Sequence, residues 1–102
     1  MNCVYVLHSF GDADLYIGLT GDLRRRLKEH QKGESFAASF RGPWKLIYYE
    51  AYLEREDAEG REKFLKSGSG RRFLDKQLLH YFARCPRRTQ KSPMVSSSPP
   101  AA

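Results

Sequence analysis

The sequence predicts a small α+β domain, and three observations carry that expectation. Residues 3–9 (CVYVLHS) and 44–52 (WKLIYYEAY) are β-branched and aromatic runs of strand length,. Residues 23–31, 55–66 and 71–82 instead space their apolar side chains as helices do,. At 102 residues with 40% apolar and 13% aromatic content, the chain can bury one modest core and has no room for a second,.

Taken in order, residues 3–9 carry apolar groups at both parities, which suits a strand covered on both faces. Gly11–Asp14 supplies turn chemistry, and residues 15–18 resume as a short strand, so the two form a hairpin,. With Gly11–Asp14 as the loop, Ser9 lies opposite Tyr16, and Tyr5 projects from the same face as Tyr16. Thr20-Gly21-Asp22 offers turn and N-cap residues before a helix running to about Gln31, which Gly33 would stop,. At ~100° per residue, Leu23, Leu27 and His30 share a stripe with Arg26 at its border, while Arg24, Arg25 and Lys28 point away.

Residues 34–41 could add one or two helical turns with Phe36 and Phe40 spaced i, i+4,. Gly42-Pro43 then punctuates before the third strand. Residues 55–66 form a charged amphipathic helix despite Gly60, which costs ~1 kcal/mol relative to alanine. Ala58, Glu62 and Leu65 share its inward face with Arg61 beside them, so a carboxylate points at the interior. Ser67–Gly70 breaks the helix, and a last one over 71–82 carries Phe73, Leu74, Leu78 and Tyr81. The domain is therefore expected over residues 1–82, followed by a basic Pro/Ser-rich disordered tail over 83–102,.

The net charge of +6 predicts attraction to a polyanion, with nucleic acid the expected partner and an anionic membrane surface the alternative,. Cys3 and Cys85 form neither a disulfide framework nor a metal spacing, and no signal peptide or spanning helix is legible,. A reducing, cytoplasmic setting and a monomer are the expectations. Phosphodiester hydrolysis needs a base for water, a cation for the phosphoryl oxygens and usually a carboxylate-held divalent metal. The inward-biased polar groups Tyr5, Tyr16, Arg26, His30 and Glu62 supply those parts.

Cys3-Val4-Tyr5, then Tyr16-Ile17-Gly18, then D-L-x-x-R-L-x-x-H from Asp22 to His30, then R-E-K-F-L from Arg61 to Leu65 resemble the motifs of the GIY-YIG nuclease superfamily. The branch they resemble is that of small stand-alone bacterial proteins related to the N-terminal domain of the excinuclease C subunit. This resemblance implies a three-stranded antiparallel sheet flanked by helices and a Mg²⁺- or Mn²⁺-dependent endonuclease. It implies Tyr5 as general base, Tyr16 as second phenol, Arg26 as the phosphate-stabilising arginine, His30 as proton-transfer support and Glu62 as the metal carboxylate. Gly18 would let the backbone turn closely. Cysteine and valine replace the glycine and isoleucine of the first motif, and no residue near the C-terminal helix matches the asparagine of some relatives.

Blander readings stand beside these. Tyr48, Tyr49 and Tyr52 are packing residues, and His8 and His80 are structural. Arg24, Arg25 and Lys28 form a solvated face that would at most contact the phosphate backbone. Arg71 and Arg72, after Gly68 and Gly70, could bind an anion at a helix start. Glu62 could simply pair with Arg61, Arg26 or a nearby lysine. The alternatives to an endonuclease are a weakly catalytic or non-catalytic nucleic-acid-binding module that assists another enzyme, and a structural or protein-interaction domain whose charge is incidental; a protein partner could supply targeting.

Overall fold

The computed structural model describes residues 1–31 and 43–89. The helical turns expected at 34–41 and residues 90–102 of the expected tail lie outside them. The described elements run β1 (Asn2–Ser9), β2 (Leu15–Thr20), α1 (Leu23–Gln31), β3 (Trp44–Tyr52), α2 (Arg55–Leu65), α3 (Gly68–Gln77) and α4 (Leu79–Arg84). The strands form one antiparallel sheet in the order β2-β1-β3, as the expected α+β class requires.

Central β1 is buried from Val4 to Ser9, which explains its apolar groups at both parities,. On one face Tyr5, Leu7 and Trp44 pack with Tyr16, Leu23, Leu27 and Leu46, so α1 covers this side. On the other, Val4, Val6, Leu15 and Ile17 meet Ala58 and Leu65 of α2 and Leu74 of α3. Leu65 and Leu74 are both fully buried, and truncating either to alanine costs about 2–5 kcal/mol,. In β3 the register shifts between Val6↔Tyr48 and Leu7↔Leu46, so Ile47 is an extra residue. This bulge sends Leu46 and Tyr48 to opposite faces and accounts for the dual-parity pattern of β3.

Several local expectations change. The hairpin register is Leu7↔Tyr16 rather than Ser9↔Tyr16, because the chain reverses between Ser9 and Asp14 with Ser9 N–H donating to Asp14 O at 2.9 Å. The slip is two residues, an even number, so Tyr5 and Tyr16 still share a face. The left-handed residue of the turn is Ala13 (φ 64°), and strand β2 continues to Thr20.

The helix breaks after Leu65 as expected, but Gly68–Gly70 already form the first turn of α3, capped by Ser67, whose hydroxyl accepts from Gly70 N–H at 3.1 Å. A Cβ at Gly70 would collide with Phe64 O and Leu65 Cα, so this glycine lets α3 start directly against the end of α2,. The helix expected over 71–82 is two, since Leu78 leaves helical geometry (φ −111°, ψ 37°) between α3 and α4. Packing also continues past Phe82. Helix α4 ends at Arg84, Arg87 makes a bidentate pair with Asp75 at 2.8 and 3.0 Å, and Arg88 N–H donates to Ala13 O at 2.6 Å. No helix among the described residues is long and apolar enough to cross a membrane.

Candidate active site

Strand β2 is an edge of the sheet, and a cavity of about 500 Å³ opens around it. Tyr5, Tyr16, Gly18, Arg26 and Glu62 line it, together with Arg55, Lys66 and Arg71. An edge strand brings the α1 face and the α2 face together at one opening. This is how Tyr16 and Arg26 from one side meet Glu62 from the other.

Tyr5 lies on β1, one strand inward, and reaches the cavity across Gly18, its cross-strand partner. A Cβ at Gly18 would fall on the Tyr5 hydroxyl and ring. Gly18 therefore serves as a passage for the phenol rather than as a turn, which corrects the sequence expectation.

The loop before α1 sets the rest. Thr20 Oγ1 accepts from Asp22 N–H at 3.1 Å, and Asp22 Oδ1 caps the helix by accepting from Arg25 N–H at 3.1 Å,. The helix then turns Arg26 and His30 inward as the wheel predicts. The Tyr5 hydroxyl lies 3.0 Å from His30 Nε2, and Arg26 Nε donates to it at 3.3 Å. Tyr16 stacks beside Tyr5 at 6.2 Å between centroids and meets the His30 ring edge at 4.8 Å. His30 is 2% exposed and sits behind the phenols, its Nδ1 buried without a hydrogen-bond partner among the described residues.

Burial raises the Tyr5 pKa, and the Arg26 hydrogen bond offsets that only in part, so the phenol is neutral near pH 7,. His30 is pushed the other way, by burial and then by the Arg26 charge, and is neutral as well. The Tyr5 oxygen and the Glu29 carboxylate both favour charged Arg26 and raise its pKa. Arg26 Nη1 holds Glu29 at 2.9 Å, and Nη2 makes no hydrogen bond among the described residues. Tyr5 itself is fully buried and forms part of the floor of the cavity.

Glu62 pairs with Lys66 Nζ at 3.0 Å and not with Arg61 or Arg26. Arg61 instead grips Glu50 with Nε and Nη2 at 2.9 and 3.0 Å and lies over the rings of Phe64 and Phe73. Among the described residues no three His, Cys, Asp or Glu side chains gather as a metal cage. A lone cavity carboxylate still fits Mg²⁺ or Mn²⁺, because a hard cation of this kind keeps waters and takes substrate phosphate oxygens as its other ligands. Lys66 already sits on that carboxylate as a positive charge.

The remaining expected contacts divide. Arg71 lines the cavity, whereas Arg72 lines only its neighbour. Arg24, Arg25 and Lys28 are exposed on the outer face of α1, and Arg25 is further tied to Glu29 at 2.9 Å and Asp22 at 3.7 Å. His80 is exposed, while His8 is buried, its Nδ1 2.6 Å from the Tyr81 hydroxyl and its Nε2 donating to Ala13 O at 3.1 Å. Tyr48 and Tyr52 pack on the core, but Tyr49 is 54% exposed, on a stretch of the α1-side face left uncovered among the described residues. Arg55 and Lys66 are cavity residues the sequence reading passed over. The i, i+4 spacing of Glu62 and Lys66 was the available signal for the second.

The family model described as the GIY-YIG catalytic domain matches residues 1–75. A UPF0213 protein of Clostridium perfringens is 39% identical over 69 residues, 65% of this chain and 71% of that one. A UPF0213 protein of Streptococcus pneumoniae is 38% identical over 87 residues, 78% of this chain and 87% of that one. The solution NMR structure of a UPF0213 protein from Bacillus halodurans is 34% identical, covers 79% of this chain and 85% of its own, and has a TM-score of 0.47. With these motifs gathered around one cavity and the family model matched over residues 1–75, the chain belongs to the GIY-YIG catalytic-domain family of nucleases.

Proposed function

We propose that the protein is a divalent-metal-dependent endonuclease that hydrolyses phosphodiester bonds in DNA. The observation that carries this reading is the Tyr5 hydroxyl held between His30 Nε2 and Arg26 Nε at the floor of a cavity whose opposite wall presents Glu62.

A phenol with a raised pKa is a poor base by itself, so Tyr5 acts as a relay. With Arg26 donating to its oxygen, the phenol proton lies toward His30 Nε2. Tyr5 accepts a proton from the attacking water as it passes its own to His30. A second cation beside Arg26 is unfavourable in the resting site, and the arriving phosphate offsets it. Arg26 exchanges Glu29 for a phosphoryl oxygen, which stabilises the charge that builds there and uncovers the phenol. Tyr16 fixes the His30 ring by edge contact. Glu62 would hold Mg²⁺ or Mn²⁺ once released by Lys66, and the metal's part is to polarise the phosphate. Because His30 titrates below its ordinary 6.5, nicking is expected to persist at neutral pH and to fall only on the acid side.

The Glu62–Lys66 pair favours the second reading, a nucleic-acid-binding module that cuts weakly, since the cation must displace a lysine. Purified protein with supercoiled plasmid, with and without divalent metal, separates the two. Loss of metal-dependent nicking in Arg26→Ala and Glu62→Ala, with DNA binding retained, supports the nuclease. Unchanged nicking in both variants rejects it, and binding without any cutting by the wild type favours the module.

A further inference from the structure

Beside the first cavity lies a second of about 640 Å³, lined by Lys66, Arg71, Arg72, Arg87 and Arg88 against a single carboxylate, Asp14. Lys66 and Arg71 belong to both, so the two are continuous. Its outer wall is residues 87–89, and that wall is fixed. Arg87 is 13% exposed and locked bidentate onto Asp75, its Nη1 donates to Arg88 O, and the Arg88 N–H is bound by Ala13 O.

The cations differ in how far they are already neutralised. Lys66 has Glu62, Arg87 has Asp75, and Arg88 has Asp12 at 3.7 Å. Arg71 and Arg72 have no carboxylate within ion-pair distance among the described residues. Arg71 Nε donates to Leu65 O at 3.2 Å, and Arg72 Nη2 to Ser69 Oγ at 3.1 Å. A half-buried guanidinium beside other arginines is short of negative charge. Burial, and the repulsion of Arg87 against the pull of Asp14 and Asp75, leave the Arg71 pKa below its usual value.

We propose that the second cavity seats a backbone phosphate of the strand whose scissile phosphate occupies the first, with Arg71 and Arg72 as its ligands and residues 87–89 as its outer wall. The inference rests on the nuclease reading for the identity of the strand. It assigns that strand a path along the β2 edge, from Arg26 past Lys66 and Arg71 toward the C-terminal segment. It also gives residues beyond α4 a place in substrate binding. A guanidinium fork suits a phosphate through two parallel N–H bonds, which lysine at the same positions could not reproduce.

The test uses the full chain and a labelled single-stranded oligonucleotide, with metal withheld so that binding is read without cutting, across a salt series. Arg71→Met with Arg72→Gln should weaken binding about tenfold or more and lower the slope of log affinity against log salt by about 0.7, the share of the one phosphate seated there. Arg72→Gln alone, at an exposed position that leaves the fold intact, should lower it in the same direction by less, with Arg71 still in place. Lys76→Gln with Arg84→Gln removes the same charge from exposed sites lining neither cavity, and should weaken binding less than about threefold,. Equal losses from the two double variants, or an unchanged slope in Arg72→Gln, overturn the second seat while wild-type binding and nicking leave the nuclease reading standing. A wild type that binds no strand at any salt removes both.

Discussion

Two arginines, one on each side of the sheet, have opposite environments. Arg61 on α2 is held from several sides, with both oxygens of Glu50 on its Nε and Nη2 and its guanidinium over the rings of Phe64 and Phe73. Glu50 in turn accepts from the Tyr48 and Tyr52 hydroxyls. Arg26 on α1 is 37% exposed at its side chain, holds one oxygen of Glu29 and one phenol, and among the described residues its Nη2 makes no hydrogen bond. A similar contrast separates two carboxylates on the α2 side, Glu50 and Glu62. Glu50 is enclosed by Arg61, Tyr48 and Tyr52, whereas among the described residues Glu62 pairs only with the exposed Lys66. A fully partnered charge serves the fold, and a half-partnered charge aimed into a cavity is available to a substrate.

The largest expected effect breaks the available side. Arg26→Ala should lower nicking by about 10²–10³-fold while hardly moving the thermal midpoint, since its exposed pair with Glu29 contributes about 1 kcal/mol or less. Arg61→Met should do the reverse, costing about 2–3 kcal/mol in urea unfolding because it strands a largely buried Glu50, with nicking per folded molecule kept. Equal stability losses from the two would dissolve the contrast.

A pH experiment sharpens it. Burial pushes Glu50 up, but Arg61, Tyr48 and Tyr52 outweigh that and hold its pKa below the ordinary 4.5. Its contribution is then fully present above about pH 4.5 and lost as the pH falls through the depressed folded value,. Glu50→Gln should accordingly flatten the acid limb of the stability profile measured by denaturation between neutral and acid pH. The smallest effect concerns the lysine. Lys66→Gln should lower the Mg²⁺ concentration for half-maximal nicking by about threefold, as an exposed pair is weak. A rise in that concentration would mean that Lys66 assists the site rather than guarding it.

Much of this site was legible because local periodicity records which face a residue takes. The helical wheel placed Arg26 and His30 inward without any tertiary knowledge. The shared face of Tyr5 and Tyr16 survived a misplaced register because strand parity is unchanged by an even slip. Long-range pairings left no such trace. Nothing near Gly18 reveals that a tyrosine from the next strand crosses it. Arg61 finds Glu50 on another element, and Arg87 returns to Asp75, through packing that no window of neighbouring residues encodes. The split of the last helix at Leu78 is likewise a tertiary outcome, imposed on a sequence whose spacing would allow one continuous helix.

The most direct test removes a single oxygen atom. Tyr5→Phe keeps the buried ring and deletes the hydroxyl that bridges His30 and Arg26. In a single-turnover nicking assay with saturating Mg²⁺, the account predicts a rate loss of about 10²–10⁴-fold with DNA affinity and fold intact. A Tyr5→Phe protein that nicks at the wild-type rate would show that the chemistry of this cavity does not run through its phenol.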